Sequence, residues 1–479
     1  MLKNLGKESI IYGIGQMANT AIAILILPVL TRAFTVSQVG IIDLITIIQT
    51  FGIIFSSLGV DTALTFYYWD ASEENDQLKF ISTAFYSQLF FSLASVLIFI
   101  IFKDIIIEYY IKNDINNTYF LGITVIPFLA LFNLFSKICR ILRRPILFNI
   151  LTILNVVFYL SLAILFIYKL DVGIEAVFIS KIISFLIIII FSLFYFKRKL
   201  FNGIDLKKLK LMLFYGVPLL PILLIDWAMK FFDRFFINYY IGNYPLGLFS
   251  VYIKVASGVT LVVSAFNRAW GPFSMSIKKE NNQNLIYAKA LEFYVFFTYI
   301  AALIIQIISP LLIVIFSTED YLVHNYLIGF LTLPIIFHGM YSIIAVGFNI
   351  TKKTYFIAFG TFFAALLNIV IDIFLIPVFG LIGATAGTVF GYFFAIIFIY
   401  IISRKIYSIP FKACKIFLQT IIVLVLMIGV ALNNTNTSIL AVKVILNIFI
   451  LALLIFSFNI TKVFMLSDIK KILSKLFRN

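Results

Sequence analysis

Residues 223–242 read LLIDWAMKFFDRFFINYYIG, placing Asp226, Lys230, Asp233 and Arg234 inside a run that is otherwise soluble in lipid. With Asp226 at zero on a helical wheel, Lys230 falls at about 40°, Asp233 at about −20° and Arg234 at about 80°. Phe231, Phe232, Phe235 and Phe236 fall between about 140° and 280°. The charges form one stripe and the phenylalanines the opposite face, so one side meets lipid or packing and the other a polar interior. Each charge costs about 2.5–3.5 kcal/mol at the centre of a membrane helix on insertion scales. Asp226–Lys230 is an i,i+4 ion pair and Lys230–Arg234 an i,i+4 like-charge contact. The plainer reading is a buried pair that holds helices together. The third and fourth charges on the stripe weigh against it.

The rest of the chain explains why this helix must be a membrane span. Of 479 residues, 63% are hydrophobic and only 12% charged, with a mean hydropathy of +1.10. A soluble protein of this length has no way to hide so much apolar surface. Apolar blocks of roughly 20 residues recur at 9–32, 39–64, 80–102, 118–137, 146–168, 172–196, 211–240, 245–267, 288–316, 325–350, 354–376, 380–402, 413–432 and 439–461, about fourteen spans. The first run has no small-residue cleavage site and is read as a retained span. Pro218 and Pro221 should bend or break the seventh. Basic residues cluster on alternate connections, at Lys137–Arg144, Lys197–Lys210, Lys278/Lys279, Lys352/Lys353, Arg404–Lys415 and the tail. The other connections hold little beyond Arg32, Lys103, Lys112 and Lys169, so both termini are expected in the cytoplasm. The formal charge of +16 is then membrane-surface chemistry and nucleic acid is not an expected partner. Cys139 and Cys414 form neither a disulfide framework nor a metal-ligand spacing.

The chain also resembles itself at an offset of roughly 200 residues. Tyr12-Gly13 matches Tyr215-Gly216, Arg32 in LTRAF falls against Arg234 in FDRFF, and Val39-Gly40 matches Leu246-Gly247. Later, DVGIEAVFIS (171–180) matches VFGLIGATAG (378–387), and Asn155 matches Asn368. The expected architecture is all-α and polytopic: a six-helix lobe over 1–200, a second over 201–405, two further helices over 406–461 and a basic cytoplasmic tail over 462–479.

The segments YGIGQMAN…LPVLTRAFTVSQVGIIDL, SLGVDTALTFYY, DRFFINYYIGNYPLGLFSVYIKVAS and LNIVIDIFLIPVFGLIGATAGT resemble the polysaccharide-transport family of Wzx-type repeat-unit flippases. That family belongs to the multidrug/oligosaccharidyl-lipid/polysaccharide exporter superfamily, and the resemblance covers the first twelve spans. It implies a bacterial inner-membrane flippase that moves undecaprenyl-pyrophosphate-linked oligosaccharide between leaflets by alternating access, for O-antigen-like surface polysaccharide. Its implied partners are the polyprenyl-pyrophosphate oligosaccharide, membrane lipids, and a polysaccharide polymerase with chain-length proteins. On that reading Arg32, Lys230, Arg234, Lys254 and Arg268 are candidates to bind the pyrophosphate, arginine because its planar fork donates two parallel hydrogen bonds. Asp43, Asp61, Asp226 and Asp233 are candidates for gating or ion coupling.

Helical spacing adds detail. Lys254 and Arg268, fourteen residues apart, lie within about 40° of one face of the eighth helix. Asp43 and Asp61, eighteen residues or five full turns apart, share a face of the second span, and Asp61 is a candidate gate partner for Arg268. Glu175, Lys181, Glu292, His338 and Asp372 are further intramembrane ionisables, and Glu175 and Lys181 are not at helical pair spacing. No nucleotide-binding loop and no catalytic constellation is present, so the chain is not expected to be an enzyme or to hold a cofactor. Coupling to H⁺ or Na⁺ is left open. The alternatives are a cation-coupled multidrug exporter of the same superfamily, a lipid II flippase, and a membrane glycosyltransferase or polymerase. Short extracytoplasmic connections disfavour the last.

Overall fold

The computed structural model describes residue 15 and residues 24–111, 116–436 and 440–463. The expected first span falls largely outside the described residues, and its end is seen as α1 (Leu27–Ala33). The helices that follow are α2 (Val36–Ser57), α3 (Val60–Asp70), α4 (Glu74–Ile101), α5 (Asn116–Ile141), α6 (Pro145–Ile164), α7 (Glu175–Leu200), α8 (Leu206–Gly216), α9 (Leu220–Ile241), α10 (Asn243–Ala256), α11 (Thr260–Ser276), α12 (Gln283–Phe316), α13 (Leu327–Ile344), α14 (Tyr355–Phe379), α15 (Leu381–Ile406), α16 (Ala413–Asn436) and α17 (Leu440–Thr461). Among the described residues 13 helical segments are long and apolar enough to cross a membrane. They coincide with the second to fourteenth expected spans. Large apolar side chains such as Phe194, Phe374, Val378 and Ile460 stand exposed along them, as expected where the solvent is hydrocarbon.

Local chemistry sets the boundaries. α2 starts at a capping box in which Thr35 Oγ1 accepts from the Gln38 N–H and Gln38 Oε1 accepts from the Thr35 N–H. It stops where Leu58 and Gly59 both take left-handed backbone (φ 45° and 73°), so the second span is two helices, not one. In the seventh span α8 gives way to a 3₁₀ turn at Val217–Leu219 before α9 starts with Pro221 near its first position. That is the expected proline break. The eighth span is likewise divided by a 3₁₀ turn at Ser257–Val259.

The chain forms two compact units, Met1–Ser250 and Val251–Asn479. The division falls inside α10, beyond the lobe boundary expected at 200, because the seventh span and the start of the eighth pack within the first unit. Glycines make this possible. A Cβ on Gly59 would stand 2.6 Å from the Gly216 carbonyl oxygen, and one on Gly247 would collide with the Val36 carbonyl. A side chain on Gly40 would meet the Asn243 backbone. Val36 and Gly40 therefore touch Asn243 and Gly247, their own equivalents in the internal repeat. Helix α2 crosses α10 as two like surfaces facing one another.

In the second unit α14 and α15 pack through glycines four residues apart. Side chains on Gly383, Gly387 and Gly391 would strike, in turn, the Leu375 backbone, the Asp372 carboxylate and the Asn368 Cβ. A core of Tyr287, Leu291, Tyr294, Phe337 and Ile343 joins α12 to α13. Tyr299 and Thr420 share a 2.7 Å hydrogen bond between α12 and α16. The α16–α17 hairpin is held by Gln419 Nε2 donating to Ser457 Oγ at 2.7 Å and Asn433 Nδ2 donating to Asn447 Oδ1 at 2.9 Å.

Candidate functional site

The stripe predicted on α9 exists, and its members have different fates. Lys230 donates to Asp226 Oδ2 at 2.6 Å, and both side chains are half open, at 46% and 42% exposure. One turn on, Arg234 is buried. Its Nε lies 3.2 Å from Asp43 Oδ2 on α2, with both side chains at 10% exposure or less. The Nε–H is not aimed at that oxygen well enough to form a hydrogen bond. The contact is therefore one of charge, with Nη1 donating instead to the Lys230 carbonyl at 3.0 Å. The guanidinium also lies over the Phe231 ring, 5.1 Å from its centroid. The two cations avoid each other by turning to different carboxylates.

Asp43 accepts a second, shorter contact, from the Ser250 hydroxyl at 2.7 Å. Ser250 is the repeat equivalent of Asp43, 207 residues along. The charged pair thus sits one turn from the Gly40–Gly247 crossing. Asp233 is buried too, its Oδ1 accepting from the Arg234 backbone N–H at 2.8 Å. Trp227, at the foot of the stripe, donates its indole N–H to Thr50 Oγ1 at 3.0 Å.

Of two spacing arguments across helix breaks, one loses its straight-helix premise and one keeps its conclusion. Asp61 lies in the first turn of α3, past left-handed Leu58 and Gly59, and so does not share a face with Asp43. It is engaged by Lys137 of α5 at 3.0 Å. Lys254 of α10 and Arg268 of α11 flank the 3₁₀ turn at Ser257–Val259. Three residues wound at about 120° instead of about 100° each move Arg268 from about −40° to about +20° of Lys254, so the two stay on one side of the span. Both side chains belong to the second unit and are partly buried, and Arg268 Nη2 reaches Ser264 Oγ at 3.2 Å. Arg32 is exposed in the last turn of α1.

Other groups were not singled out by spacing because their partners lie on other helices. Lys181 of α7 reaches Thr46 Oγ1 at 3.3 Å and Gln49 Oε1 at 3.4 Å on α2. Glu292, buried on α12, pairs with Lys412 at 2.9 Å before α16. Ser250 could have been found from the repeat, since it stands where Asp43 stands in the first half.

The fold is shared with solved transporters. It matches the lipid II flippase MurJ in an inward closed conformation with a TM-score of 0.68 at 16% identity, over 95% of this chain and 99% of that one. It matches an inward-facing multidrug resistance MATE family transporter of the MOP superfamily with a TM-score of 0.62 at 15% identity, over 83% and 97%. A MOP superfamily transporter from Pyrococcus furiosus, described as having a binding pocket of reversed polarity, gives 0.54 at 18% identity, over 83% and 94%. Comparison with curated proteins gives no match by sequence. The family described as polysaccharide biosynthesis protein matches residues 29–324, more than half of the chain, and this multi-pass membrane protein belongs to it.

Proposed function

We propose that the chain is a flippase that carries undecaprenyl-pyrophosphate-linked oligosaccharide repeat units from the inner to the outer leaflet of the bacterial cytoplasmic membrane. The observation that carries this reading is the cationic stripe of α9, where half-open Lys230 stands beside the buried Arg234–Asp43 pair. Family membership and the transporter fold support it. Arg32, Lys230, Arg234, Lys254 and Arg268 bind the pyrophosphate. Asp43, Asp61, Asp226 and Asp233 gate the path or couple it to H⁺ or Na⁺. Asp43 stands in for the substrate's anion while the site is empty. When a phosphate oxygen reaches Arg234, the guanidinium exchanges one anionic partner for another while Asp43 keeps its contact with Ser250. The termini are cytoplasmic, the two sequence repeats meet at residue 200 although the compact units part at 250, and the protein moves its cargo without changing it chemically. A polymerase and chain-length proteins act on the product.

A second reading, transport of lipid II, is favoured by the likeness to the lipid II flippase over nearly the whole chain. Drug export is disfavoured by several cations at the site, since the drugs it would handle by cation coupling are themselves cationic. Deleting the gene in its host and extracting polyprenyl-linked oligosaccharides separates these. Complete repeat units accumulating behind a lost surface polysaccharide support the proposal. Accumulated cell-wall precursor selects lipid II, and an unchanged lipid-linked pool moves drug export ahead.

A further inference from the structure

On the phenylalanine side of α9 the first unit holds a cavity of about 540 Å³, and every residue lining it is aromatic or isoleucine. Ile48 and Phe51 of α2 form one wall, and Trp227, Phe232, Phe235 and Phe236 of α9 another. Tyr109 and Tyr110 add a third, from the π-helical turn Ile107–Ile111 that follows α4. That turn is fastened to α9. Asn238 Nδ2 donates to the Tyr110 carbonyl, and the Tyr110 ring meets Phe235 edge-on with centroids 5.6 Å apart. Asn243, at the start of α10, donates to the Ile111 carbonyl at 3.4 Å. Protein interiors close-pack, so a space this large between fastened walls is fit to receive a ligand.

The walls restrict what that ligand can be. No lining side chain carries a charge at neutral pH, and the one indole N–H is already given to Thr50 at 3.0 Å. A sugar or phosphate there would lose water and find only tyrosine hydroxyls, whereas hydrocarbon gains from burial. The rings stand at angles, Trp227 at 52° to Phe51 and 48° to Phe235. A chain with methyl branches fills such hollows better than a straight one. Tyr109 and Tyr239 are more than half exposed, so the cavity is open at its edge.

The cavity is also continuous with the charged stripe. The Arg234 guanidinium lies over Phe231, Phe231 lies 6.0 Å from Trp227, and Trp227 lies 5.8 Å from Phe235 in the cavity wall. Cation and apolar wall sit on the same turns of one helix, about 10 Å across. A molecule that fits both has an anionic head joined directly to a hydrocarbon chain. We propose that the cavity holds the first isoprene units of the substrate's polyprenyl chain while the pyrophosphate lies on the stripe; this rests on the flippase reading above.

The test uses full-length protein in phosphatidylcholine nanodiscs, whose straight acyl chains compete for the cavity throughout. Trp69→Phe and Trp270→Phe leave Trp227 as the reporter among the 3 tryptophans. Farnesol should change Trp227 emission saturably, and dodecanol, its unbranched counterpart, should need at least about tenfold more. Phe236→Ala, which removes wall, and Ile106→Phe, which fills the space, should each weaken farnesol about tenfold at an unchanged melting temperature. Equal responses to farnesol and dodecanol make the cavity a site for any bilayer chain and overturn the proposal. Wild-type farnesol binding in both variants overturns it too. Should the tryptophan replacements not fold, radiolabelled farnesol bound by the wild-type protein and the two variants decides in the same way. Farnesyl pyrophosphate separates the two readings. If it binds more tightly than farnesol while farnesol shows no preference for the cavity, the cavity assignment falls alone. If it binds no more tightly than farnesol, the flippase reading falls and takes the assignment of the chain with it.

Discussion

The two units meet the same problem, polar groups inside a membrane, with different shares of ion pairs and neutral hydrogen bonds. In the first, the polar atoms at depth are charges: Asp43 with Arg234, Asp226 with Lys230, Asp61 with Lys137, and Lys181 on neutral oxygens. In the second, amides and hydroxyls that return to backbone or to one another stand beside buried Asp372 and partly buried Lys254 and Arg268. Gln306 takes the Gly329 N–H at 2.6 Å and gives to the Tyr326 carbonyl at 3.0 Å, and Tyr294 donates to the Ile336 carbonyl at 2.9 Å. Glu292 with Lys412 is an ion pair at the end of a span, not in its middle. Neutral networks satisfy themselves and hold helices together. Each charge inside a membrane costs several kcal/mol, so the ion pairs of the first unit are a place where an ionic ligand should act.

The most severe way to break the contrast is to remove one side of the Asp43–Arg234 pair. Arg234→Ala takes the guanidinium away from a buried carboxylate and should cost about 3–5 kcal/mol, seen as a lower melting temperature in detergent and reduced accumulation. Asp43→Ala should do the same from the other side. The combined Asp43→Leu, Arg234→Met variant should recover most of that stability, because an apolar pair of similar volume replaces a buried ion pair at little loss. Transport should stay abolished in the double variant. Recovered transport together with recovered stability would make the pair a packing device and remove Arg234 from the substrate site.

The second unit should respond differently. Gly383→Val presses a side chain into the Leu375 backbone and should destabilise by about 1–3 kcal/mol. Whatever transport survives should keep the wild-type dependence on salt and on substrate charge, since no cation has moved. A change in charge preference from this substitution would mean that α14 and α15 shape the ionic site after all.

How much of this could be read in advance follows from how local each feature is. A span is a property of about 20 consecutive residues, so the helices stood where hydropathy put them. Pro218 and Pro221 announce a break through their own backbone chemistry. The stripe on α9 is a property of one helix and was legible residue by residue. What Arg234 faces was not, because Asp43 belongs to a helix far along the chain. The repeat paired Gly40 with Gly247 as equivalents, but nothing in that pairing says equivalents touch. The error in facing came from assuming a straight helix. Leucine rarely adopts left-handed backbone, so the break at Leu58 was hidden, and the straight-helix argument for Asp61 fell with it.

The smallest expected effect on stability is also the sharpest test of the comparison. Lys230 and Asp226 are nearly half exposed and joined at i,i+4. A pair of that kind contributes only about 0.3–0.5 kcal/mol, so Lys230→Ala should leave the melting temperature almost unmoved. If the open half of Lys230 faces the substrate, surface polysaccharide should nonetheless fall sharply, and more than in Phe235→Leu on the opposite face of α9. Lys230→Arg should restore much of the output because the charge and donors return. A Lys230→Ala protein that transports normally at normal stability would leave the exposed pair as a solvated ornament of the helix, and the functional burden would pass to the buried Arg234 alone.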